Sequence, residues 1–296
     1  MNGRVNIAVL VTDGTNCHTE TRNAFNVVGG NAEIVHLNGL LRGYDPVSQK
    51  KVSLERYHIL AVPGGFSYGD YISAGAVFAR YLKNELAPQL LRFIDQGKLM
   101  IGICNGFQAL VKSGFLPMLD RANDGSGLTQ SVTLTYNAGG RFEDRWVKLR
   151  SPRNNCVWTR GIREMDLPVA HGEGRFMAPE STIDGLWSRD LVVFQYADRQ
   201  GNPTNEYPAN PNGSLQAVAA ICDPTGRILG LMPHPERYHM PGNHPLHSLQ
   251  EILARPYVDR SDPAVQERLR IAGPLPEEGA GLQIFRNAVE YCRENL

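Results

Sequence analysis

A cysteine between two glycines is the residue of this chain whose setting most directly suggests chemistry. In the string GICNG (102–106), Cys104 follows an apolar run and precedes helix-forming residues. This spacing is the cysteine form of G-x-S-x-G, a sharp strand-to-helix turn that exposes a nucleophile. Glycines suit such a strained turn because larger neighbours would collide with it. The positive end of the helix dipole would favour the thiolate of Cys104, and the amide of Asn105 would face a developing oxyanion.

A buried structural cysteine is the alternative interpretation of the same string. Free cysteines are among the most buried residues in proteins, and an isolated GxCxG fits a packed thiol as well as a nucleophile. Two further motifs therefore bear on how Cys104 is interpreted.

A glycine-rich loop could provide a second oxyanion donor. The segment PGGFSYGD (63–70) directly follows the strand-like run HILAV. Adjacent glycines let backbone amides approach a ligand closely, and Gly65 is the favoured donor. A plain turn after a strand is the alternative. A phosphate-binding role is disfavoured because neither GxxxxGK[ST] nor GxGxxG occurs in the chain.

A histidine and a carboxylate two residues apart could supply the base that a cysteine nucleophile needs. In LGLMPHPER (229–237), prolines flank His234 and stiffen the turn. Positions two apart in an extended segment point the same way, so Glu236 could orient the ring of His234 and stabilise its charged form. Such a base takes the thiol proton and returns it to the leaving amine. A surface turn with an incidental His–Glu pair is less favoured once the cysteine elbow is also present.

Short apolar segments predict the strands that must position these residues. They alternate with helix-like stretches in the first half of the chain, which indicates βαβ units and a mostly parallel sheet with helices on both faces. In the second half, strand candidates follow one another with few helices, which predicts a mixed or antiparallel extension of the sheet. The strand candidates are 5–11, 32–36, 57–62, 98–103, 131–136, 145–149, 191–196, 215–223 and 228–232, and the helix candidates are 19–28, 87–96 and 105–113.

Composition narrows the class of protein. The chain has 296 residues with 30 basic and 30 acidic side chains, which argues against nucleic acid as a partner. No apolar run approaches the roughly 18 residues of a membrane span, and no signal pattern begins the chain. Five cysteines without a CxxC pair argue against a disulfide framework or a metal site. We expect a cytoplasmic α/β protein with one domain over 1–296.

The C-terminal third predicts an unusual feature of that domain. The core spans about 5–238, and the segment 239–279 is rich in proline and polar residues. One helical piece is predicted there, around 264–271, before a terminal helix at about 281–293. We interpret 239–279 as an insertion that either contacts a partner or decorates the surface.

Taken together, the motifs of this chain resemble those of the class I, triad-type glutamine amidotransferases. GGFSYGD, AHGEGR and NPNGS are in particular similar to the glutaminase subunits of phosphoribosylformylglycinamidine synthase. The matching strings are GTNC (14–17), PGGFSYGD (63–70), GICNGFQAL (102–110), RWVKLR (145–150), VAHGEGR (169–175), NPNGS (210–214) and LGLMPHPER (229–237).

The resemblance implies a flavodoxin-like fold and hydrolysis of L-glutamine to glutamate and ammonia. The ammonia would pass to a synthetase subunit, which converts formylglycinamide ribonucleotide to formylglycinamidine ribonucleotide in purine biosynthesis. ATP and magnesium would be used by that synthetase, so no cofactor is expected in this chain. A small third subunit could complete the assembly. Because the chain starts at its first strand, we expect a standalone subunit rather than part of a fused enzyme.

The resemblance also assigns roles to individual positions. Cys104 becomes the nucleophile, His234 the general base and acid, and Glu236 the residue that orients it. Gly65 and Asn105 become the oxyanion donors.

Contacts to glutamine are assigned to a second set of positions by the same resemblance. They are Gln108, His171, Gly172, Glu173 and Gly174.

Three other functions remain open from the sequence. Another class I biosynthetic amidotransferase would share the triad. A DJ-1-like cysteine hydrolase would share a cysteine on an elbow but would lack the PHPE pair and the PGG loop. A catalytically silent docking subunit would keep the fold without an aligned triad.

Overall fold

The computed structural model of the chain describes residues 3–45, 49–119, 128–274 and 276–296. The strands in these ranges are β1 (Asn6–Val11), β2 (Asn31–His36), β3 (Tyr44–Asp45), β4 (Lys50–Lys51), β5 (Ile59–Val62), β6 (Leu99–Ile103), β7 (Thr133–Thr135), β8 (Glu143–Arg150), β9 (Glu164–His171), β10 (Arg175–Met177), β11 (Val192–Ala197), β12 (Val218–Cys222) and β13 (Ile228–Leu231). The α-helices are α1 (His18–Val27), α2 (Leu37–Arg42), α3 (Ala76–Asn84), α4 (Ala87–Asp95), α5 (Asn105–Ser113), α6 (Glu180–Ser188), α7 (His247–Ala254), α8 (Pro263–Ala272) and α9 (Leu282–Asn295).

A nine-stranded sheet forms the centre of the molecule, in the order β2-β1-β5-β6-β13-β12-β11-β8-β9. The pairings from β2 to β13 are parallel, and those from β13 to β9 are antiparallel. The predicted parallel sheet with an antiparallel extension is therefore confirmed. The segment predicted at 131–136 differs, because β7 pairs with β10 in a separate two-stranded sheet.

The burial of the strands follows their position in the sheet. Every residue of β5, β6 and β13 is buried, as expected for central parallel strands that are covered on both faces. The edge strand β9 instead alternates between buried and less buried positions. It was not predicted from the sequence, because Pro168 and charged residues interrupt its apolar pattern. An edge strand tolerates proline, since one side of it donates no ladder hydrogen bonds.

Two groups of helices pack on the sheet. In one group α1 contacts α9, where the rings of Phe25 and Phe285 meet edge to face with centroids 4.8 Å apart. In the other group α5 lies against β6 and β13, and α3 packs on α5. Helices α2, α3, α6 and α7 were not predicted from the sequence. No helix within the described residues is long and apolar enough to cross a membrane.

The two ends of the segment 239–279 lie next to each other where the segment joins the core. Gly281 N donates to Tyr238 O at 3.0 Å, and Gly279 N donates to His239 O at 3.3 Å. The segment contains α7 as well as the predicted α8, and the two helices pack on each other, with Gln250 donating to Ala272 O at 2.7 Å. The terminal helix α9 begins within one residue of its predicted start.

Candidate active site

Cys104 lies at the turn between β6 and α5, at the carboxyl end of a central strand. Its backbone has φ 49° and ψ −105°, a combination that costs energy for any residue with a side chain. The residue is 5% exposed and faces a cavity. A strained, buried cysteine that still reaches a cavity is the geometry expected of a nucleophile elbow.

The glycines on either side of Cys104 have a packing role. A Cβ on Gly106 would lie 1.8 Å from the carbonyl oxygen of Val62, and a Cβ on Gly102 would lie 2.7 Å from Gly106 O. Both distances are far below any real carbon contact. The two glycines therefore let α5 lie directly against β5 and β6, which fixes the turn that carries Cys104.

His234 and Glu236 follow β13, the parallel neighbour of β6. The backbone N–H of His234 donates to Pro168 O at 2.8 Å, which ties the turn to β9. His234 Nδ1 donates to Glu236 Oε1 at 2.6 Å, and the two side chains are 2% and 0% exposed. The other ring nitrogen, Nε2, is buried and finds no hydrogen-bond partner within the described residues. It is the ring atom left for proton exchange.

The surroundings of His234 favour its protonated form. Burial opposes a charged ring, but the Glu236 carboxylate and then the Cys104 thiol raise the pKa of His234 well above its usual value. An imidazolium beside Cys104 stabilises a thiolate there, which is the nucleophilic form of cysteine.

Gly65 is presented to the cavity by a neighbouring loop. Phe66 N donates to Gly14 O at 2.9 Å, and Asn16 N donates to Gly64 O at 3.4 Å. These bonds flank Gly65, so its own N–H is not used in this pairing. The φ of Gly65 is 150°, and a Cβ there would meet Asn16 N at 2.7 Å. Only glycine fits this position, and it lines the cavity beside Cys104.

The cavity beside Cys104 has a volume of about 120 Å³. Six of the residues predicted from the sequence line it, whereas Asn105, Gly174, His234 and Glu236 do not. The structure adds Phe66, Asp70, Ala74, Phe142 and Ala170, which were not predicted. The full lining is Gly65, Phe66, Asp70, Ala74, Cys104, Gln108, Phe142, Ala170, His171, Gly172 and Glu173.

Asn105 contributes more than the backbone amide predicted for it. That amide lies in the first turn of α5, where N–H groups have no acceptor within the helix. Its side chain accepts from Ser67 N at 3.1 Å and donates to Asp70 Oδ1 at 2.9 Å and Gln108 Oε1 at 3.1 Å. Gln108 in turn donates to Glu173 O at 2.5 Å. The side chains of Asn105 and Gln108 thus join the elbow helix to both loops around the cavity.

His171 is held neutral inside a network of asparagines. Its Nδ1 lies 3.1 Å from Asn137 Oδ1, and its Nε2 lies 3.4 Å from Asn212 Nδ2. Burial, and next the charge of His234, lower the pKa of His171 to about 3. Gly174 does not line the cavity; a Cβ there would lie 2.4 Å from the His171 ring. Sequence reasoning missed Asn137, while Asn212 lies in the NPNGS string but was given no role.

Glu173 and Lys112 form a second charged pair at the cavity. Both carboxylate oxygens of Glu173 accept from Ala74 N at 3.2 Å, and Lys112 Nζ lies 3.7 Å from one of them. Burial lowers the pKa of Lys112 and raises that of Asp70 nearby. Lys112 was not predicted, and it follows Gln108 by one helical turn.

Comparison with known proteins decides the family. A model of the CobB/CobQ-like glutamine amidotransferase domain matches residues 4–292. The chain belongs to this amidotransferase family. It is 42% identical over 288 residues to the phosphoribosylformylglycinamidine synthase subunit PurQ of Methanococcus maripaludis, with 96% of both chains covered. It is also 42% identical over 292 residues to PurQ of Dehalococcoides mccartyi, covering 98% of this chain and 99% of the relative.

Solved structures give the same result for this amidotransferase. A chain in the structure of PurLQS from Thermotoga maritima has a TM-score of 0.62 and 25% identity, with 98% of this chain and 99% of that chain covered. A glutamine amidotransferase from the same organism has a TM-score of 0.51 at 15% identity, with 99% and 100% covered; it shows the fold alone. The predicted amidotransferase fold is confirmed, while the roles assigned to single residues stay predictions.

One group in the amidotransferase site has the residue types of a metal site. Within the described residues, ligand atoms of Cys17, His234 and Glu236 lie within 4.8 Å of one another. However, His234 is already bonded to Glu236, and the Arg237 guanidinium donates to Cys17 Sγ at 3.1 Å. A guanidinium at this distance repels a second cation, so the donor set fits a hydrogen-bonded network better than a metal ion.

Proposed function

We propose that this chain hydrolyses glutamine to glutamate and ammonia as the glutaminase subunit of a phosphoribosylformylglycinamidine synthase. The observation that carries the proposal is Cys104 on a strained elbow at a cavity, electrostatically coupled to the buried pair of His234 and Glu236. The similarity to PurQ relatives over almost the whole chain favours this amidotransferase over other biosynthetic members of the family. The same similarity favours a glutaminase subunit over a DJ-1-like hydrolase.

The proposed reaction assigns a group to each step. The Cys104 thiolate attacks the carboxamide carbon of glutamine, and the negative charge moves to the oxygen, where the amides of Gly65 and Asn105 stabilise it. When the C–N bond breaks, His234 gives its Nε2 proton to the leaving nitrogen and ammonia departs. Water, deprotonated by His234, then attacks the thioester carbon and the C–S bond breaks. Glutamate is released, and the Cys104 thiolate and the protonated ring of His234 are restored.

The destination of the ammonia follows from the names of the relatives. They are subunits of a synthase, and the Thermotoga maritima structure is of PurLQS. The chain would deliver ammonia to a synthetase subunit in the cytoplasm. That subunit would use ATP and magnesium to make formylglycinamidine ribonucleotide, and a small third subunit would complete the assembly. We expect weak glutamine hydrolysis by the isolated chain and stimulation by the synthetase.

Cys104→Ala tests the proposal directly. Glutamate release should fall by at least about 10³-fold, because among the described residues that line the cavity Cys104 is the one thiol that can form the thioester. Cys292→Ala is the matched control, since Cys292 is a buried cysteine on α9 and does not line the cavity. It should retain activity.

Ammonium chloride distinguishes a lost nucleophile from a broken complex. With added ammonium, the synthetase complex that contains Cys104→Ala should still form the amidine at the wild-type rate. Near-normal glutamate release by Cys104→Ala would overturn the assignment. A wild-type complex that makes amidine from ammonium but never from glutamine would overturn the function itself.

A further inference from the structure

A second buried cysteine lies beside His234. Cys17 immediately precedes α1 and is 1% exposed. Its Sγ lies 4.0 Å from His234 Nδ1, the ring atom that also bonds Glu236. Cys17 thus contacts the catalytic histidine at Nδ1, whereas the proposed reaction uses only Cys104.

Arg237 also holds the sulfur of Cys17. Its Nη2 donates to Cys17 Sγ at 3.1 Å, while the thiol donates to Asn16 Oδ1 at 3.1 Å. With its proton directed at Asn16, the sulfur offers a lone pair to Arg237. It is also a long secondary acceptor, at 4.0 Å, for the Nδ1–H that His234 donates to Glu236. Sulfur is a weak acceptor, but inside a dry site a weak bond with fixed geometry still biases the orientation of a ring.

Hydrogen bonds on both sides fix the main chain that carries the Cys17 sulfur. Cys17 N donates to Gly64 O at 3.1 Å, and Thr21 donates to Cys17 O through both its N–H, at 3.1 Å, and its hydroxyl, at 2.8 Å. A Cβ on Gly64 would lie 2.8 Å from the His234 ring and 3.2 Å from Cys17 Sγ. Glycine at 64 therefore makes room for ring and sulfur to meet, one residue before the predicted oxyanion donor Gly65.

Glu236 requires a positive charge besides that of His234, because His234 becomes neutral when it protonates the leaving nitrogen. It is 0% exposed, one of its oxygens bonds His234, and the other, Oε2, has no hydrogen-bond partner within the described residues. A buried carboxylate with so few donors is costly unless it is compensated by charge. Arg237 is the next residue in the chain, and Cys17, Glu236 and Glu20 together raise its pKa despite partial burial. Its guanidinium stays charged beside the pair.

We propose that Cys17 and Arg237 are positioning residues for the His234–Glu236 pair: they orient the imidazole from behind and compensate the buried carboxylate. Neither touches the glutamine; both act through His234. The inference rests on the proposed glutaminase reaction, in which His234 must protonate the leaving nitrogen.

The proposal predicts a specific kinetic signature. The titratable groups that face His234 are Cys104, Glu236, Cys17 and His171. Cys17→Ala removes one acceptor of the protonated ring and leaves the other groups in place. It should lower kcat for glutamate release about tenfold and shift the alkaline limb of the pH profile about half a unit toward lower pH. KM for glutamine should stay within about twofold, because the cavity is unchanged.

Conservative variants separate positioning from simple folding defects. Cys17→Ser keeps an acceptor and should recover part of kcat and of the pH profile. Cys292→Ala is the control for loss of a buried thiol and should match wild type in both. If Cys17→Ala does not fold, Arg237→Gln and Arg237→Lys test the proposal instead. In Arg237→Gln kcat should fall about tenfold at constant KM, whereas Arg237→Lys should keep most of the wild-type kcat.

Glutamate release is measured for the chain alone and in complex with the synthetase. The wild type is assayed before the variants. An inactive wild type would refute the proposed function, and the positioning role that rests on it would fall as well. An active wild type together with an unshifted pH profile and unchanged kcat in Cys17→Ala would overturn the inference. Equal losses in Arg237→Gln and Arg237→Lys would overturn it as well.

Discussion

The main-chain N–H of Cys104 donates to the carbonyl oxygen of Leu231 at 2.8 Å. This bond continues the parallel ladder of β6 and β13 one residue beyond the paired Ile103 and Leu231. His234 begins its turn directly after the same ladder. The distance between nucleophile and base is therefore fixed by backbone pairing between two central strands, although the residues are far apart in the sequence.

Glu236→Gln should keep the shape of the pair but remove its charge. Glutamine can still accept from His234 Nδ1, but the carboxylate that raises the pKa of His234 is lost. The alkaline limb of glutamate release should move to lower pH, and kcat should fall about 10²- to 10⁴-fold, as when an orienting carboxylate is neutralised in a triad. The measurement is the pH profile of glutamate release at saturating glutamine.

The same variant has an effect on stability with a defined sign. A raised pKa of His234 in the folded state stabilises the protein below the ordinary pKa of histidine, and this contribution is lost as pH rises through the folded value. Glu236→Gln should therefore destabilise the protein most on the acid side. Glu294→Gln changes an exposed glutamate on α9 and provides the control. Wild-type kinetics in Glu236→Gln would contradict the assigned role.

Local strings predicted residues that the structure brings together at the candidate site. The elbow around Cys104, the loop of Gly65 and the PHPE turn each combine chemistry and backbone restriction within a few residues. The order of the strands then brings them together, because βαβ units place the carboxyl ends of parallel strands at one edge. The sequence alone therefore predicts the candidate triad.

Contacts between loops that are distant in the sequence could not be predicted from local strings. The meeting of Cys17 with Arg237 joins the first loop of the chain to the turn after β13, and no local pattern encodes it. The asparagines that hold His171 come from two further loops. For the same reason the string GTNC could be recognised while the function of its cysteine could not.

Gly106→Ala should destabilise the fold. A methyl group at this position would lie 1.8 Å from the Val62 carbonyl oxygen, and neither the strand nor the elbow helix can move without displacing Cys104. Overpacking of this kind typically costs about 1–3 kcal/mol, and the contact with rigid backbone places this variant at the upper end. Glutamate release should fall as well, because the elbow moves.

Gly185→Ala is the matched control for this variant. It also changes a glycine inside a helix, α6, but its new methyl group would meet only Leu119 Cδ1 at an ordinary 3.5 Å. Better helix propensity should make it neutral or stabilising by up to about 1 kcal/mol. Urea unfolding monitored by circular dichroism measures both variants. Equal stability of the two would show that α5 does not depend on close contact with β5.

His171 should make the protein sensitive to acid. Its pKa is lowered to about 3 in the folded state, chiefly by burial, whereas an unfolded histidine titrates near its ordinary value of 6.5. Between these values the unfolded chain binds the extra proton, so the stabilising contribution is complete above the unfolded pKa and is lost as pH falls. The loss is about 1.4 kcal/mol per pH unit for one proton.

His171→Gln removes this titration, and its free energy of unfolding should fall less steeply than that of wild type between about pH 6.5 and pH 5. Parallel slopes in urea unfolding would contradict a neutral, buried His171, because all other titrating groups are shared by the two proteins.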